Sequence, residues 1–551
     1  MIKKLKIKTQ KRAVMKKHSF IFGAVILTIS GILCKILGAI YKIPLTNILG
    51  SQGMGIYYLI FPVFAFLLSF TSNSFTVSIS KRVSSFVANK DYSLAYKCFK
   101  ASIILLSFLG GFASLFLICF SKLIAVLQGV EVAFVCYIVI APAVISVSIS
   151  SAFKGLFQGL QNMVPTAVSQ IVGQVIKLSL GFTLAKVLSS LGFVYGALGA
   201  GCGVSIAEIL TTLFFVIYFF IFKHKNKKYF LASSNIVINK KEKSFLWGEI
   251  KKIFVEAIPF TLNSVILPLS LVIDSFLIIN ILKKLGIDGG VSTSLLGLNS
   301  GVVNTLVGLP STVSSSLCLT IIPFISFALS KKNFTAITEK SVLVIKLCFF
   351  IAIPCVFIFG FFSTPILKVL YSASFGSFYE LNLASTLLSI SAINVFYLSI
   401  LQITTALLQA VNKSYIPVIS LTIALAFKVI CEVVLISNPY INIAGAVISN
   451  GVCYFISCII NFYYIKKYIN LKFSFYQTIG CPVVVSLLMV LIVFILLKIF
   501  TISLGSMLSV ILAFGGGFVF YLLSVFYLKG FTAEELSLFF RLKKKKQVET
   551  K

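Results

Sequence analysis

Long apolar runs, each near the roughly 20 residues that a helix needs to cross hydrocarbon, recur along the chain between short polar joints. They predict spans near residues 19–41, 53–76, 99–120, 130–153, 165–188 and 195–222. A second series covers 253–281, 296–328, 341–366, 381–411, 415–437 and 443–465, and a last pair lies near 477–500 and 505–528. The pattern predicts an all-α integral membrane protein of about 14 transmembrane helices. The run from Ser19 to Tyr41 is too long for a signal peptide and reads as the first span.

Composition supports this reading. The chain is 59% hydrophobic and 11% charged, with a mean hydropathy of +1.06, whereas soluble domains carry about 25% charged residues. The net charge of +34 would suggest nucleic acid in a soluble protein, but here the lysines crowd into alternate joints, which is a signature of topology. Basic joints are the N-terminus (Lys3 to Lys17), Lys81 to Lys100, Lys223 to Lys252, Lys331 with Lys332, Lys466 with Lys467, and the tail Lys543 to Lys546. Both termini are therefore expected in the cytoplasm, which requires an even number of spans, and the bilayer rather than nucleic acid is the expected partner. Twelve cysteines are scattered without a Cys-x-x-Cys pair, and His18 and His224 sit in basic loops. No disulfide framework, metal site or cofactor is expected, and no Walker A run is present.

The chain repeats itself. Gly155-Leu-Phe-Gln-Gly-Leu-Gln-Asn-Met-Val-Pro165, around Gln158, matches Ala406-Leu-Leu-Gln-Ala-Val-Asn-Lys-Ser-Tyr-Ile-Pro417, around Gln409, with one insertion. About a dozen residues beyond Pro165 and Pro417 stand Lys177 and Lys428, followed by Gly196-Ala197 and Gly445-Ala446. Six spans per copy is even, so both copies insert in the same sense, related by a pseudo-two-fold axis along the membrane normal. The expected organisation is a basic N-terminus (1–18), an N-terminal lobe (19–222), a basic linker (223–252), a C-terminal lobe (253–468), two extra spans (477–528) and a basic tail (529–551). Substrate is expected between the lobes, near the midplane.

A charge at the bilayer centre costs about 2.5–3.5 kcal/mol, so ionisable residues deep in spans face a cavity or a partner. Lys35 and Lys42 are seven residues apart, two helical turns, and share a face of the first span. Lys154 closes the fourth span, Lys177 lies inside the fifth, and Lys346 and Lys428 lie in the ninth and eleventh. Lys35, Lys42, Lys154 and Lys177 form a candidate cationic cavity for an anionic headgroup. Snorkelling to the interface is the alternative for Lys42, Lys154 and Lys346, which lie near span ends. The acids inside spans are Glu208, Glu256, Asp274 and Glu432. Asp274 follows Pro268 by six residues, so it reads either as a hinge or ion site beside a kink or as the charge partner of a lysine such as Lys35 across the lobes. Asp274 and Lys428 are the candidate gating or ion-coupling residues. Small-residue runs such as Gly196 to Gly203 read as close helix packing.

The order of motifs resembles the polysaccharide-transport branch of the multidrug/oligosaccharidyl-lipid/polysaccharide exporter superfamily, and within it the stage V sporulation protein B and MurJ-type lipid II flippase families. The resemblance spans nearly the whole chain. It rests on Lys42-Ile-Pro-Leu-Thr-Asn-Ile-Leu-Gly50 with Gly53-Met-Gly-Ile-Tyr57, Ala141-Pro142, Lys154-Gly-Leu-Phe-Gln-Gly159 and Pro165-Thr-Ala-Val-Ser-Gln170, then Ile258-Pro259, Asp274, Leu309-Pro310, Ile322-Pro-Phe-Ile-Ser326 and Leu408-Gln409-Ala410. It implies two lobes around a central cationic cavity, alternating access, and a lipid-tail groove on the last two helices. Relatives often carry Arg where this chain has Lys35, Lys42, Lys154 and Lys177, and Glu where it has Gly173. Lysine keeps the charge but not the bidentate contact with a pyrophosphate.

The expected function is a flippase for an undecaprenyl-pyrophosphate-linked sugar precursor, lipid II or another envelope or spore intermediate, in a bacterial cytoplasmic membrane. A drug/cation antiporter of the same superfamily would need carboxylates in the lobes, and a non-transporting scaffold in envelope assembly is a further alternative. An enzyme would need a nucleophile with its base or paired carboxylates in a polar pocket, and no such constellation is visible. Protons, sodium or the membrane potential could reset the cycle.

Overall fold

The computed structural model describes residues 2–225, 240–371, 375–469, 471, 474–503 and 506–528. Residues 226–239 of the expected linker and the tail 529–551 lie outside the described residues. Helices account for every regular element among those described. They are α1 (Ile2–Leu68), α2 (Ser74–Ala88), α3 (Tyr92–Cys119), α4 (Ser121–Leu127), α5 (Phe134–Gly159), α6 (Val164–Ser189), α7 (Phe193–Lys225), α8 (Lys240–Lys284) and α9 (Gly289–Gly297). There follow α10 (Asn304–Ser330), α11 (Phe334–Phe361), α12 (Ser363–Tyr371), α13 (Phe378–Ala410), α14 (Tyr415–Ile436), α15 (Ala444–Ile469), α16 (Cys481–Ser503) and α17 (Ser506–Tyr527). The chain forms two compact units, Met1–Gly301 and Val302–Lys551, so α8 and α9 pack with the N-terminal helices.

Twelve helices among the described residues are long and apolar enough to cross a membrane. The first of these segments, Ile29–Ala88, has 60 residues, more than one crossing at roughly 20 residues each, and takes in α1, a π-helical stretch at Ser69–Asn73 and α2. Gly50 breaks it at φ 65°, ψ −178°, a backbone state that only glycine adopts without strain. The expected spans 19–41 and 53–76 are the arms on either side. The expected span 296–328 is helical over Asn304–Ser330 but is not among the twelve. A count of fourteen thus depends on dividing the first helix and including α10. Helix α8 runs unbroken through Pro259 and Pro268.

The sequence repeat has a local structural counterpart. Gln161 and Asn412, each three residues beyond the repeated glutamine, take φ of 60° and 62°. In the first copy Gln161 N–H donates to Gln158 O and Asn162 N–H to Phe157 O; in the second Asn412 donates to Gln409 O and Lys413 to Leu408 O. These are the paired bonds of a Schellman helix ending, and Pro165 and Pro417 stand inside the first turn of the helices that follow. The same ending recurs at Lys90 and Lys332 (φ 65° and 56°), where Asp91 N–H reaches Phe86 O and Asn333 N–H reaches Ala328 O. Each copy also passes from a long helix through one non-helical phenylalanine, Phe120 or Phe362, into a short helix, α4 or α12. Helices α2 to α7 and α10 to α15 therefore correspond element by element.

Small residues in the repeat set the packing. A Cβ at Gly155 would stand 2.7 Å from Ile79 Cβ, and one at Gly159 2.6 Å from Val83 Cβ, so this pair, one turn apart, lets α5 lie directly on α2. Ala406 and Ala410 occupy the same places in α13 and are buried; Ser326 Oγ of α10 donates to Ala410 O at 3.2 Å. The core of the first unit gathers Phe75, Ile79 and Val83 of α2, Phe99 of α3, Phe153 and Phe157 of α5, Phe215 and Phe219 of α7, and Ile253 and Ala257 of α8. Ring centroids there stand 5.0 Å apart for Phe99–Phe219 and 5.2 Å for Phe99–Phe153.

Above that core lies an ionic clamp. Arg82 of α2 donates from Nε and Nη2 to the two oxygens of Glu249 at 2.8 and 2.7 Å, and from Nη1 to Glu256 Oε1 at 2.8 Å. The Arg82 and Glu249 side chains are 14% and 2% exposed. Ser78 Oγ of α2 adds a bond to Ile253 O at 3.1 Å. The far end of α8 is held separately, by Asn280 Nδ2 to Leu127 O at 2.7 Å, Lys283 Nζ to Gly129 O, and Gln128 Nε2 to Ser275 Oγ at 2.9 Å.

Removing one member of a buried pair leaves uncompensated charge and costs about 3–5 kcal/mol. Arg82→Ala is expected to lower the unfolding temperature of the purified protein markedly, and adding Glu249→Gln with Glu256→Gln to recover much of the loss. Equal melting of wild type and Arg82→Ala in a thermal-shift measurement would contradict the clamp.

Candidate functional site

Helix α1 meets α6 in parallel register. Ser30 Oγ donates to Gln170 Oε1 at 3.1 Å, Gly38 faces the Gln174 side-chain amide, and the Tyr41 hydroxyl covers Gly181. This register carries Lys42 to the level of Lys177, and the two ammoniums lie within electrostatic range of each other. Helix α6 in turn packs closely on α7, where Gly173 faces Thr211 Oγ1. One turn before Thr211 stands Glu208, within electrostatic range of both Lys177 and Lys154 of α5. Thr212 fixes this stretch by donating to Ser146 O of α5 at 2.8 Å, and Ser205 does so by donating to Val139 O at 2.6 Å.

Two of the four expected headgroup residues, Lys154 and Lys177, are thus brought within electrostatic range of Glu208, and Lys42 is brought beside Lys177; these four side chains are half-buried. Lys35 stands two turns earlier on α1 and is exposed. Aromatic rings complete the group. Lys42 Nζ lies 5.3 Å from the Tyr58 ring centroid and Lys177 Nζ 5.4 Å from that of Phe61, and Tyr57 stacks on Phe61 at 4.0 Å. Tyr58 and Phe61 are three residues apart on one face of the second arm of α1. They rest on a cluster of Tyr41, Leu45, Leu49, Met54, Ala185 and Ala200. A cation on a ring face gains about 0.5–2 kcal/mol, without the neutralisation that a carboxylate would bring. The group therefore contains three lysines, Lys42, Lys154 and Lys177, and one acid, Glu208.

The other candidates lie elsewhere. Asp274 is buried in α8, 7% exposed, next to Ser275, which is tied to Gln128. Lys428 of α14 is fully buried with Glu432 one turn away on the same face, and Lys346 of α11 is buried in the same unit. Gln158, Pro165, Gln409 and Pro417 belong to the helix endings described above. The aromatic partners were missing from the sequence reading, although the spacing of Tyr57, Tyr58 and Phe61 signalled an aromatic face. Among the described residues no group of His, Cys, Asp and Glu is arranged to hold a metal ion.

The profile described as polysaccharide biosynthesis protein matches residues 21–329. The chain is 25% identical to stage V sporulation protein B of Bacillus subtilis (strain 168) over 365 residues, 65% of this chain and 68% of that protein. It is also 25% identical to the lipid II flippase MurJ of the same organism over 368 residues, 64% of this chain and 66% of that protein. The chain thus spans about two thirds of the length of these curated relatives. Among solved structures, the lipid II flippase MurJ in an inward closed conformation superposes with a TM-score of 0.66 at 16% identity, over 92% of this chain and 99% of that one. A multidrug resistance MATE family transporter of the MOP superfamily, in its inward-facing conformation, gives 0.58 at 16% identity, over 79% and 94%. The fold is that shared by these transporters, a multi-pass all-α membrane fold.

Charges that interact depart from additivity by about 0.5–3 kcal/mol. Glu208→Ala and Lys177→Ala, measured singly and together by thermal unfolding in detergent, are expected to be non-additive, with the double variant less destabilised than the sum. Strict additivity would show that Glu208 does not face Lys177.

Proposed function

Because the chain belongs to the polysaccharide biosynthesis protein family, we propose that it is a flippase for an undecaprenyl-pyrophosphate-linked sugar precursor, lipid II or a related envelope or spore intermediate. The observation that supports this reading is the grouping of Lys154 and Lys177 near the carboxylate of Glu208, with Lys42 beside Lys177 and rings of Tyr58 and Phe61 against Lys42 and Lys177. Such a group in a membrane-spanning bundle is stable only where water or an anion solvates the surplus charge, and a pyrophosphate supplies both the charge and the acceptor oxygens. The ring faces of Tyr58 and Phe61 hold two ammoniums in place without neutralising them, so the lysines stay available to an incoming headgroup.

Lys35, exposed on the same helix two turns from Lys42, is the first cation that a headgroup meets on its way to the cluster. Lysine presents point charges rather than a planar fork, which suits a headgroup whose phosphates rotate during passage. Translocation proceeds by alternating access in a bacterial cytoplasmic membrane, with both termini cytoplasmic, and Asp274 and Lys428 serve coupling and gating. Protons, sodium or the membrane potential drive the return. A drug/cation antiporter would need carboxylates in the lobes for protons, sodium or cationic drugs, whereas this group offers lysines and the one acid Glu208.

Lys177→Ala and Lys35→Ala are each expected to abolish rescue of a flippase-depleted bacterial strain while the protein still inserts at wild-type level, and Lys177→Arg to retain rescue. Full rescue by both alanine variants, at matched membrane abundance, would overturn the cationic-site reading.

A further inference from the structure

A second cation-bearing site lies in the other unit, far along the chain from the lysine cluster. The end of α11, the short helix α12, the end of α16 and the start of α17 enclose a cavity of about 570 Å³. Its apolar wall includes Phe361, Phe362, Phe494 and Val510, and its polar groups are Lys368, Lys498 and Thr501. Helix α11 starts beside Lys331 and Lys332 and α16 follows Lys466 and Lys467, so the cavity stands at the membrane face opposite those basic joints. Topogenesis favours lysine at the joints and not at this face, so a pair of lysines here needs a local reason.

The geometry supplies one. Helix α12 buries Ile366, Leu367 and Tyr371 and exposes Lys368, the pattern of a helix lying in the interface. Lys498 is exposed one turn from the end of α16, with Nζ 4.9 Å from the Phe494 ring centroid. Among the described residues neither lysine is ion-paired to a carboxylate. Thr501 Oγ1 is spent on Leu497 O at 2.7 Å, which leaves the two ammoniums as the donors for a ligand. Two cations at the interface above phenylalanines match a molecule with a phosphate at headgroup depth and hydrocarbon beneath it.

We propose that this cavity binds an anionic glycerophospholipid of the adjoining leaflet, its phosphate between Lys368 and Lys498 and its first acyl carbons against Phe361, Phe362 and Val510. The volume suits a phosphoglycerol head and a few methylenes. The inference does not depend on the flippase reading.

The test is native mass spectrometry of the full chain in neutral detergent, titrated with phosphatidylglycerol and with phosphatidylcholine of the same acyl length. The wild type is expected to bind one phosphatidylglycerol in preference to phosphatidylcholine. The double variant K368Q/K498Q is expected to lose about 30-fold in apparent affinity for phosphatidylglycerol and to bind phosphatidylcholine as before. Should that variant misfold, K368Q alone is expected to lose about 5-fold, since Lys368 is exposed. Unchanged phosphatidylglycerol binding by the variant, or equal binding of the two lipids by the wild type, overturns the proposal. Undecaprenyl phosphate forms a third arm: if the variant loses it more strongly than phosphatidylglycerol, the site serves a polyprenyl lipid and the proposal also falls.

Discussion

Hydrocarbon offers no hydrogen-bond partner and no screening, so each charge carried into the bundle must find its own partner within a few ångströms. In the first unit this constraint is met in two different ways. Arg82 is charge-compensated, its guanidinium held by both Glu249 and Glu256, and it serves as a fastener between α2 and α8. Lys154 and Lys177 lie within electrostatic range of Glu208, and Lys42 and Lys177 each lie over an aromatic ring. The first arrangement consumes its charge in structure, whereas in the second three lysines accompany a single acid, the surplus that the proposed reading assigns to an anion.

The close approach of helices makes both arrangements possible. Gly155 and Gly159 let α5 rest on Ile79 and Val83 of α2, which fixes the helix that presents Arg82. The register of α1 on α6, from Ser30–Gln170 to Tyr41–Gly181, decides that Lys42 and Lys177 share a level. A slip of one residue in either helix would turn these side chains about 100° away from each other. Small residues in the repeat therefore do more than permit packing: they set which polar groups meet.

Duplication explains much of the remaining architecture. The left-handed residues Gln161 and Asn412, and Lys90 and Lys332, end equivalent helices with the same pair of backbone bonds. Asn89-Lys-Asp-Tyr92 and Lys331-Lys-Asn-Phe334 are alike in sequence as well as geometry, a second repeat signal beside the one around Gln158 and Gln409. The two copies have diverged where it matters for chemistry. In the first, Lys177 lies among rings with Glu208 on the neighbouring helix; in the second, Lys428 is buried with Glu432 on its own helix face.

The sequence by itself determined the solvent, the approximate limits of most of the apolar helices, the alternation of basic joints, the internal repeat and the short list of intramembrane cations. Each of these follows from one-dimensional quantities, namely helix length against bilayer thickness, charge per joint and recurrence of small residues. Only the tertiary structure decided that the backbone breaks at Gly50 between the first two apolar arms, that Arg82 clasps residues 167 and 174 positions away, and that Glu208, Tyr58 and Phe61 attend the lysines. Such pairings depend on the rotation and register of helices distant in the chain, and periodicity gives the face of each helix without saying which face it will meet.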